Sequence, residues 1–213
     1  MSKIILIDYG IGNLLSVSNA IDACGGSVEV TSDEKKVKDA SRVVIPGVGA
    51  FKPGMQNLNK LGLADAIRYA AEKGTPILGI CLGMQLLFDS SEEFGYCDGL
   101  SLINGDIKRL PAVSLECSSP TKLPNIGWRK ISLHSNLNWQ RIILEHYSVN
   151  EWVYFAHSYA ATGCDQNNVV AYIDFYGHKI PAIVEKENMV GCQFHPEKSG
   201  KAGLKLIKNF IER

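Results

Sequence analysis

The first half of the chain alternates short apolar runs with stretches in which apolar residues recur every three or four positions. Four runs have the length of buried strands: residues 3–7, 28–31, 42–45 and 76–80. Their nearly continuous apolar character is typical of strands that helices cover on both faces. Between them the pattern predicts helices at 13–24, at 54–73 with a break near Gly62, and at 84–88. This rhythm indicates a mostly parallel sheet.

The pattern changes after about residue 103, where strand-like segments follow one another without long helices between them. These segments are 106–110, 126–132, 151–159, 169–175, 182–185 and 190–194, and a final amphipathic helix spans 199–213. No linker separates the halves. We therefore predict one α/β domain over residues 1–213, an open, mostly parallel sheet with helices on both faces and an added antiparallel layer.

Composition and charge exclude several classes of function. The 213 residues carry 22 basic and 22 acidic side chains, and the basic ones are scattered, which argues against a nucleic-acid-binding face. No apolar run approaches the roughly 18 residues needed to span a bilayer. The early run at residues 4–7 is also shorter than the core of a signal peptide. We expect a cytoplasmic protein that binds neither membrane nor nucleic acid.

The cysteines and histidines do not have the spacing of a metal site. Six cysteines form no Cys-x-x-Cys pair, and five histidines form no His-x-x-x-His pair. We expect no metal and no cofactor. Most of the thiols should serve as small apolar groups, which leaves open whether one of them is reactive.

One cysteine lies in a turn suited to a nucleophile. Cys81 is the centre of a Gly-x-Cys-x-Gly pentad between the predicted strand at 76–80 and the helix at 84–88. Gly79 and Gly83 permit the tight turn of a nucleophile elbow, with sulfur in place of the serine oxygen. The following helix N-terminus stabilises an anion such as a thiolate. The alternative is an inert buried cysteine beside glycines needed only for packing.

A candidate base follows the last predicted strand, more than one hundred residues from Cys81. His195 precedes Pro196 and Glu197 just after the strand at 190–194. Because parallel strands deliver their carboxyl ends to one edge of a sheet, His195 can meet Cys81 there. Glu197 is placed to accept the other imidazole N–H, which would fix the tautomer. Taken alone, a histidine before a proline is more often structural.

A glycine turn, Pro46-Gly47-Val48-Gly49, follows the third predicted strand at the same sheet edge. Its N–H groups at Val48 and Gly49, with the N–H of Leu82, are candidates for an oxyanion hole. A phosphate cradle is a competing interpretation, but the Lys-Ser/Thr of a nucleotide-binding loop is missing. A plain turn between strand and helix is the commonest meaning of such a motif.

Together these motifs resemble the class I, triad-type glutamine amidotransferases over nearly the whole chain. The matching stretches are Asp8 to Leu14, Pro46 to Phe51, Gly79 to Gln85, Gly127-Trp128, Phe155 to Tyr159 and Phe194 to Ser199. Within that family they are most similar to the glutaminase subunits of imidazole glycerol phosphate synthase, from histidine biosynthesis. The resemblance implies that Cys81, His195 and Glu197 hydrolyse L-glutamine to glutamate. It also implies a heterodimer in which ammonia passes to a (β/α)8 cyclase subunit.

The resemblance also suggests roles for residues that the pattern alone does not single out. It implies glutamine binding by Gly47, Gly49, Gln85, Ser158 and Tyr159, and contact with the synthase by Asn13, Trp128, Tyr154 and Lys198. Without it, Gln85 would be a solvent-facing helix residue and Lys198 a solvated charge. Trp128 and Tyr154 would equally suit ordinary core packing.

Three other functions remain open at this stage. A paralogous branch of the same glutaminase subunit serves sugar amidotransferases in surface-polysaccharide synthesis, and Gly127-Trp128-Arg129 does not separate the two. An inactive regulatory module of the same fold would need no intact triad. A stand-alone cysteine hydrolase would cleave its substrate without any synthase.

Overall fold

The computed structural model of the chain describes residues 3–133, 143 and 151–212. Its first half contains β1 (Ile4–Ile7), α1 (Leu14–Ala23), β2 (Val28–Thr31), α2 (Glu34–Lys38), β3 (Arg42–Ile45), α3 (Phe51–Lys60), α4 (Leu63–Glu72), β4 (Ile77–Ile80) and α5 (Leu82–Leu86). The remainder contains β5 (Phe88–Ser91), β6 (Cys97–Asp98), β7 (Ile103–Arg109), β8 (Asn125–Lys130), β9 (Ser132–Leu133), β10 (Trp152–His157), β11 (Tyr159–Thr162), β12 (Val169–Phe175), β13 (His178–Lys186), β14 (Met189–Cys192) and α6 (Gly200–Glu212).

The largest sheet in this described part of the chain has the strand order β2-β1-β3-β4-β14-β13-β12-β9. The pairs from β2 through β14 are parallel, and the remaining pairs are antiparallel. The predicted mostly parallel sheet is therefore confirmed, with an antiparallel extension at one end.

The strands of the second half belong to three sheets rather than to the single added antiparallel layer that the sequence predicts. Only β9, β12, β13 and β14 extend the main sheet, whereas β8 pairs with β10, and β11, β7, β5 and β6 form a third sheet. The predicted strand at 151–159 is divided at Ser158, because β10 pairs with β8 and β11 pairs with β7. This division brings the backbone around Ser158 into the cleft described below.

Apolar side chains on both faces of the main sheet bury it between two cores. Alternate residues of β1 point to opposite sides: Ile4 and Leu6 pack with α1 and α6, and Ile5 and Ile7 pack with α2, α3, α4 and α5. Each fully buried side chain of this size stabilises the fold by about 1.5–3 kcal/mol. The continuous apolar runs in the sequence follow from this burial on both faces.

Several predicted boundaries differ from those in the structure. Helix α5 begins at Leu82 rather than residue 84, and Phe88 begins a strand instead of ending the helix. The last predicted strand ends at Cys192, two residues early, and α6 begins at Gly200. Arg213, the predicted end of that helix, lies outside the described residues.

No helix within the described ranges is long and apolar enough to cross a membrane.

Three adjacent parallel strands end at the same edge and supply the candidate site. Strand β4 lies between β3 and β14, with Leu78 opposite both Val44 and Val190. The backbone N–H of Cys81 donates to the carbonyl of Cys192 at 2.8 Å, which joins the ends of β4 and β14. The segments after β3, β4 and β14 are therefore brought together.

Candidate active site

Cys81 occupies a strained turn between β4 and α5. Its backbone has φ 52° and ψ −105°, in the positive-φ region that residues with a Cβ rarely adopt. Such a conformation costs on the order of 1–3 kcal/mol and persists only where the surroundings impose it. A Cβ on Gly79 would lie 2.7 Å from the Gly83 carbonyl oxygen, and a Cβ on Gly83 would overlap the Ile45 carbonyl. The turn thus has the elbow geometry that the pentad predicts.

Gly83→Ala should test whether close packing maintains this elbow. The new methyl group would push α5 away from β3, so we expect a loss of about 1–3 kcal/mol in the free energy of unfolding and a sharp loss of Cys81 reactivity. Gly54→Ala is the matched control, because its Cβ would make an ordinary contact 3.4 Å from Leu86. Urea unfolding and thiol alkylation measure both effects. Equal stability of the two variants would contradict the packing argument.

His195 and Glu197 lie directly beside the elbow. The Nδ1 of His195 and the Oε1 of Glu197 are 2.9 Å apart, and both side chains are almost fully buried. Cys81 is close enough to the imidazole of His195 to raise its pKa. Because Glu197 occupies Nδ1, the Nε2 of His195 is the atom left for the sulfur.

The environment of His195 stabilises its charged form. Burial by itself lowers the pKa of this imidazole, but the hydrogen bonds and charges of Cys81 and Glu197 outweigh burial and raise the pKa from 6.5 to about 9. The backbone is also fixed, since the N–H of His195 donates to the Tyr154 carbonyl at 2.9 Å and the Ser199 hydroxyl donates to the His195 carbonyl at 2.6 Å. The imidazolium is therefore available at neutral pH.

The glycine turn after β3 packs against the elbow. The hydroxyl of Tyr9 donates to the Pro46 carbonyl at 2.6 Å, and burial raises the pKa of Tyr9. A Cβ on Gly47 would lie 2.6 Å from this hydroxyl and 2.7 Å from the Cβ of Leu82. Gly49 has φ 110°, and it faces solvent together with Val48. The candidate oxyanion residues on both segments are thus neighbours.

These segments enclose a cleft of about 200 Å³. Its lining includes nine predicted site residues: Val48, Gly49, Cys81, Leu82, Gln85, Ser158, Tyr159, His195 and Lys198. Gly47 lies behind the lining against Tyr9, and Glu197 lies behind His195. The cleft has room for a small substrate beside the sulfur.

Gln85 is buried, unlike the solvent-facing residue that its helix position alone would suggest. Its Nε2 donates to the Tyr159 carbonyl at 2.9 Å and to the Oε1 of Gln193 at 3.0 Å. The Nε2 of Gln193 in turn lies 3.7 Å from the Cys81 sulfur. Gln193 is fully buried and was not singled out from the sequence, although its position two residues before His195 could have suggested it.

Glu93 is a second cleft residue that sequence reasoning missed. It lies just after β5, and its Oε2 accepts the backbone N–H of Phe51 at the start of α3 at 2.7 Å. Among the described lining residues it is the acidic one. It belongs to no motif with Cys81, so only the fold brings it to the cleft.

The residues predicted to contact a partner are distributed around this edge. Trp128 is about half exposed on β8, where its ring meets that of Tyr154 edge-on at 6.0 Å, so the core-packing alternative for Trp128 was wrong. Asn13 caps α1 through a hydrogen bond from the Ser16 N–H at 3.3 Å. Lys198 is exposed and borders the cleft.

In the described parts of the chain no three His, Cys, Asp or Glu side chains form a metal-binding group.

Known proteins are similar to this chain along its whole length. The model of the glutamine amidotransferase class-I family matches residues 5–213. The chain belongs to this family. It is 41% identical to imidazole glycerol phosphate synthase subunit HisH 1 of Legionella pneumophila strain Paris, covering all of both chains. It is 43% identical to subunit HisH of Lactococcus lactis, covering 100% of this chain and 99% of that one.

Solved protein structures share the fold of this amidotransferase despite low sequence identity. A glutamine amidotransferase crystal structure matches with a TM-score of 0.73 at 14% identity, covering 98% of this chain and 97% of that one. PurLQS from Thermotoga maritima matches with a TM-score of 0.71 at 20% identity, covering 100% and 98%. These likenesses confirm the predicted fold class.

Proposed function

We propose that this amidotransferase is the glutaminase subunit of imidazole glycerol phosphate synthase, in histidine biosynthesis. It hydrolyses L-glutamine at Cys81 and delivers ammonia to a (β/α)8 cyclase subunit in a heterodimer. The observation that carries the chemistry is that Cys81 and His195 line the same cleft, with the Nδ1 of His195 2.9 Å from the Glu197 carboxylate. The full-length relatives named as HisH subunits support the pathway.

The cleft offers complementary groups to both ends of glutamine. The Glu93 carboxylate suits the α-ammonium group, and the backbone at Ser158 and Tyr159 offers polar groups to the same end of the molecule. Gln85 lines the same cleft, and its amide bonds the Tyr159 carbonyl. The side-chain amide of the substrate is then directed towards Cys81.

The reaction proceeds in two acyl-transfer steps. The Cys81 thiolate, paired with the His195 imidazolium, attacks the amide carbon, and N–H groups of Leu82 and the Val48-Gly49 turn stabilise the oxyanion. The C–N bond breaks as the Nε2 of His195 gives its proton to the leaving ammonia. Neutral His195 then takes a proton from water, which attacks the thioester and releases glutamate and the thiolate. Glu197 stabilises each imidazolium.

The exposed edge beside the cleft is the surface that we assign to the synthase. Trp128 and Tyr154 meet there, Asn13 caps α1 at the same end of the sheet, and Lys198 borders both the cleft and solvent. The backbone N–H of Tyr154 donates to the Ser199 hydroxyl at 2.9 Å, and Ser199 bonds the His195 carbonyl. A partner bound at this edge is therefore close to the base. No cofactor, membrane or nucleic acid takes part.

We expect the isolated chain to be nearly inactive until its synthase binds and carries its own ligand. Val48 and Gly49 are the exposed half of the turn at 46–49, so an N–H there that points away from the oxyanion can be turned inward by contacts near Lys198. One missing oxyanion donor costs about 3 kcal/mol, or roughly a hundredfold in rate. Glutamate release should be measured for the chain alone, with the synthase, and with the synthase and its ligand.

The outcomes of this comparison separate the candidate functions. A stepwise rise of about a hundredfold or more across the three conditions supports the proposal. Equal rates in all three would contradict the control mechanism and favour a stand-alone hydrolase. No glutamate in any condition would favour an inactive regulatory module.

A further inference from the structure

A row of buried and half-buried polar groups leads from strand β8 through the wall of the cleft towards the cysteine. The Nε of Arg129 donates to the Oδ1 of Asn125 at 3.0 Å, and the Nδ2 of Asn125 lies 2.9 Å from the Nε2 of His157. The Nδ1 of His157 lies 2.8 Å from the Tyr159 carbonyl, which also accepts from Gln85. We call Arg129, Asn125 and His157 the polar chain.

The partners of His157 determine its tautomer. A carbonyl oxygen can only accept, so the Nδ1 of His157 carries the proton that bonds Tyr159. The Asn125 amide donates to Nε2 and turns its oxygen towards Arg129, so Nε2 must be unprotonated. Burial, with the nearby positive charges of His195 and Arg129, lowers the pKa of His157 to about 4. The ring is therefore neutral at physiological pH and its hydrogen bonds run in one direction.

The Tyr159 carbonyl connects the polar chain to the cleft. It accepts two hydrogen bonds, from His157 on one side and from Gln85 on the other, which uses both of its lone pairs. Tyr159 begins β11 just after the division at Ser158, where pairing with β8 has stopped and pairing with β7 begins. A backbone at such a junction has fewer sheet contacts to fix it, and His157 supplies one.

We propose that Asn125 and His157 are positioning residues for glutamine: through the Tyr159 carbonyl they hold the cleft backbone and the Gln85 amide in the orientation that the substrate requires. His157 lines the cleft, but its two ring nitrogens bond Asn125 and the Tyr159 carbonyl rather than the sulfur. The proposal rests on the proposed glutaminase function. It predicts that loss of His157 harms reactions that depend on recognition of glutamine, while the intrinsic reactivity of the Cys81 thiol stays unchanged.

The test compares His157→Phe, which keeps a ring but has no donor, with His157→Gln, whose amide can still donate to Tyr159. In the complex with the synthase, we expect the Phe variant to lose about 10- to 100-fold in kcat/KM for glutamine. Its Cys81 should react more slowly, by a similar factor, with the glutamine-shaped electrophile 6-diazo-5-oxonorleucine. Alkylation by iodoacetamide, which needs no glutamine site, should change by less than about twofold, and the Gln variant should regain most of the loss.

His178→Gln is the matched control, because the Nε2 of His178 also bonds a backbone carbonyl, that of Val113 at 2.8 Å, but far from the cleft. It should behave as wild type. Equal loss towards both reagents, no loss in the Phe variant, or no rescue by Gln would overturn the proposal. A wild-type chain that never reacts with 6-diazo-5-oxonorleucine would instead defeat the proposed glutaminase function.

If the Phe variant fails to fold, the protonation state of His157 in the unaltered chain tests the proposal instead. Imidazole ¹⁵N NMR of the wild type, with the His157 signals assigned by their loss in His157→Gln, should show a protonated Nδ1 and a bare Nε2 from pH 6 to 8. A protonated Nε2 in this range would overturn the proposal, because Asn125 could not then donate to the ring.

Discussion

Cys81→Ala is expected to abolish glutamine-dependent synthesis by the complex while ammonia-dependent synthesis continues. The thioester requires the sulfur, whereas external ammonia reaches the synthase without it. The loss should exceed about 10³-fold, since the remaining groups can bind and polarise the amide but cannot attack it. Product formation with glutamine and with ammonium chloride, measured on the same preparation, checks this result.

Cys97→Ala is the matched control for this substitution. Cys97 is a partly buried free thiol in the short strand β6 and does not line the cleft. Cys97→Ala should leave both glutamine-dependent and ammonia-dependent synthesis unchanged. If Cys81→Ala lost both activities equally, the substitution would be acting through assembly or folding and the nucleophile assignment would lack support.

Glu197→Gln should fold normally and still lose about 10²- to 10⁴-fold in glutaminase turnover. The amide is the same size as the carboxylate but carries no charge to stabilise the imidazolium of His195. Because Glu197 helps to raise the pKa of His195 to about 9, the substitution should lower it. The imidazolium would then be lost at lower pH, so the alkaline limb of the pH–rate profile should move towards neutrality.

Stopped-assay rates between pH 6 and 10 measure both effects. Glu72→Gln, at the exposed end of α4, is the control and should show the wild-type profile. Iodoacetamide should still alkylate Cys81 in the Glu197 variant. Wild-type turnover in Glu197→Gln would show that this carboxylate is not part of the triad.

The centre of the main sheet could be predicted from the sequence because β1, β3 and β4 are buried on both faces and therefore read as nearly continuous apolar runs. The elbow could be predicted because its geometry depends on five consecutive residues. Helix α2 was missed, since Val37 is its one buried residue and the pattern is too short to show a period. Strand β5 was missed because three of its four residues are polar, and pairing with β7 and β6 defines it instead.

The walls of the cleft were less accessible to sequence reasoning, because long-range contacts create them. The bonds of Gln85 reach Tyr159 and Gln193, which are 74 and 108 positions away. Similarly, His157 meets Asn125 because β8 and β10 pair at that register. No local pattern predicts such partners. The motif residues could therefore be predicted from local sequence, whereas the residues that support them, which are distant in sequence, could not.

Transfer of nitrogen from glutamine to product tests the central claim most directly. The purified chain and its (β/α)8 synthase partner are supplied with glutamine labelled with ¹⁵N in the side-chain amide, in a buffer that contains unlabelled ammonium. If Cys81 releases ammonia that passes directly to the synthase, mass spectrometry will find one ¹⁵N in nearly every product molecule and an equal amount of glutamate. Product without ¹⁵N, or product formed with no glutamate released, would contradict the account.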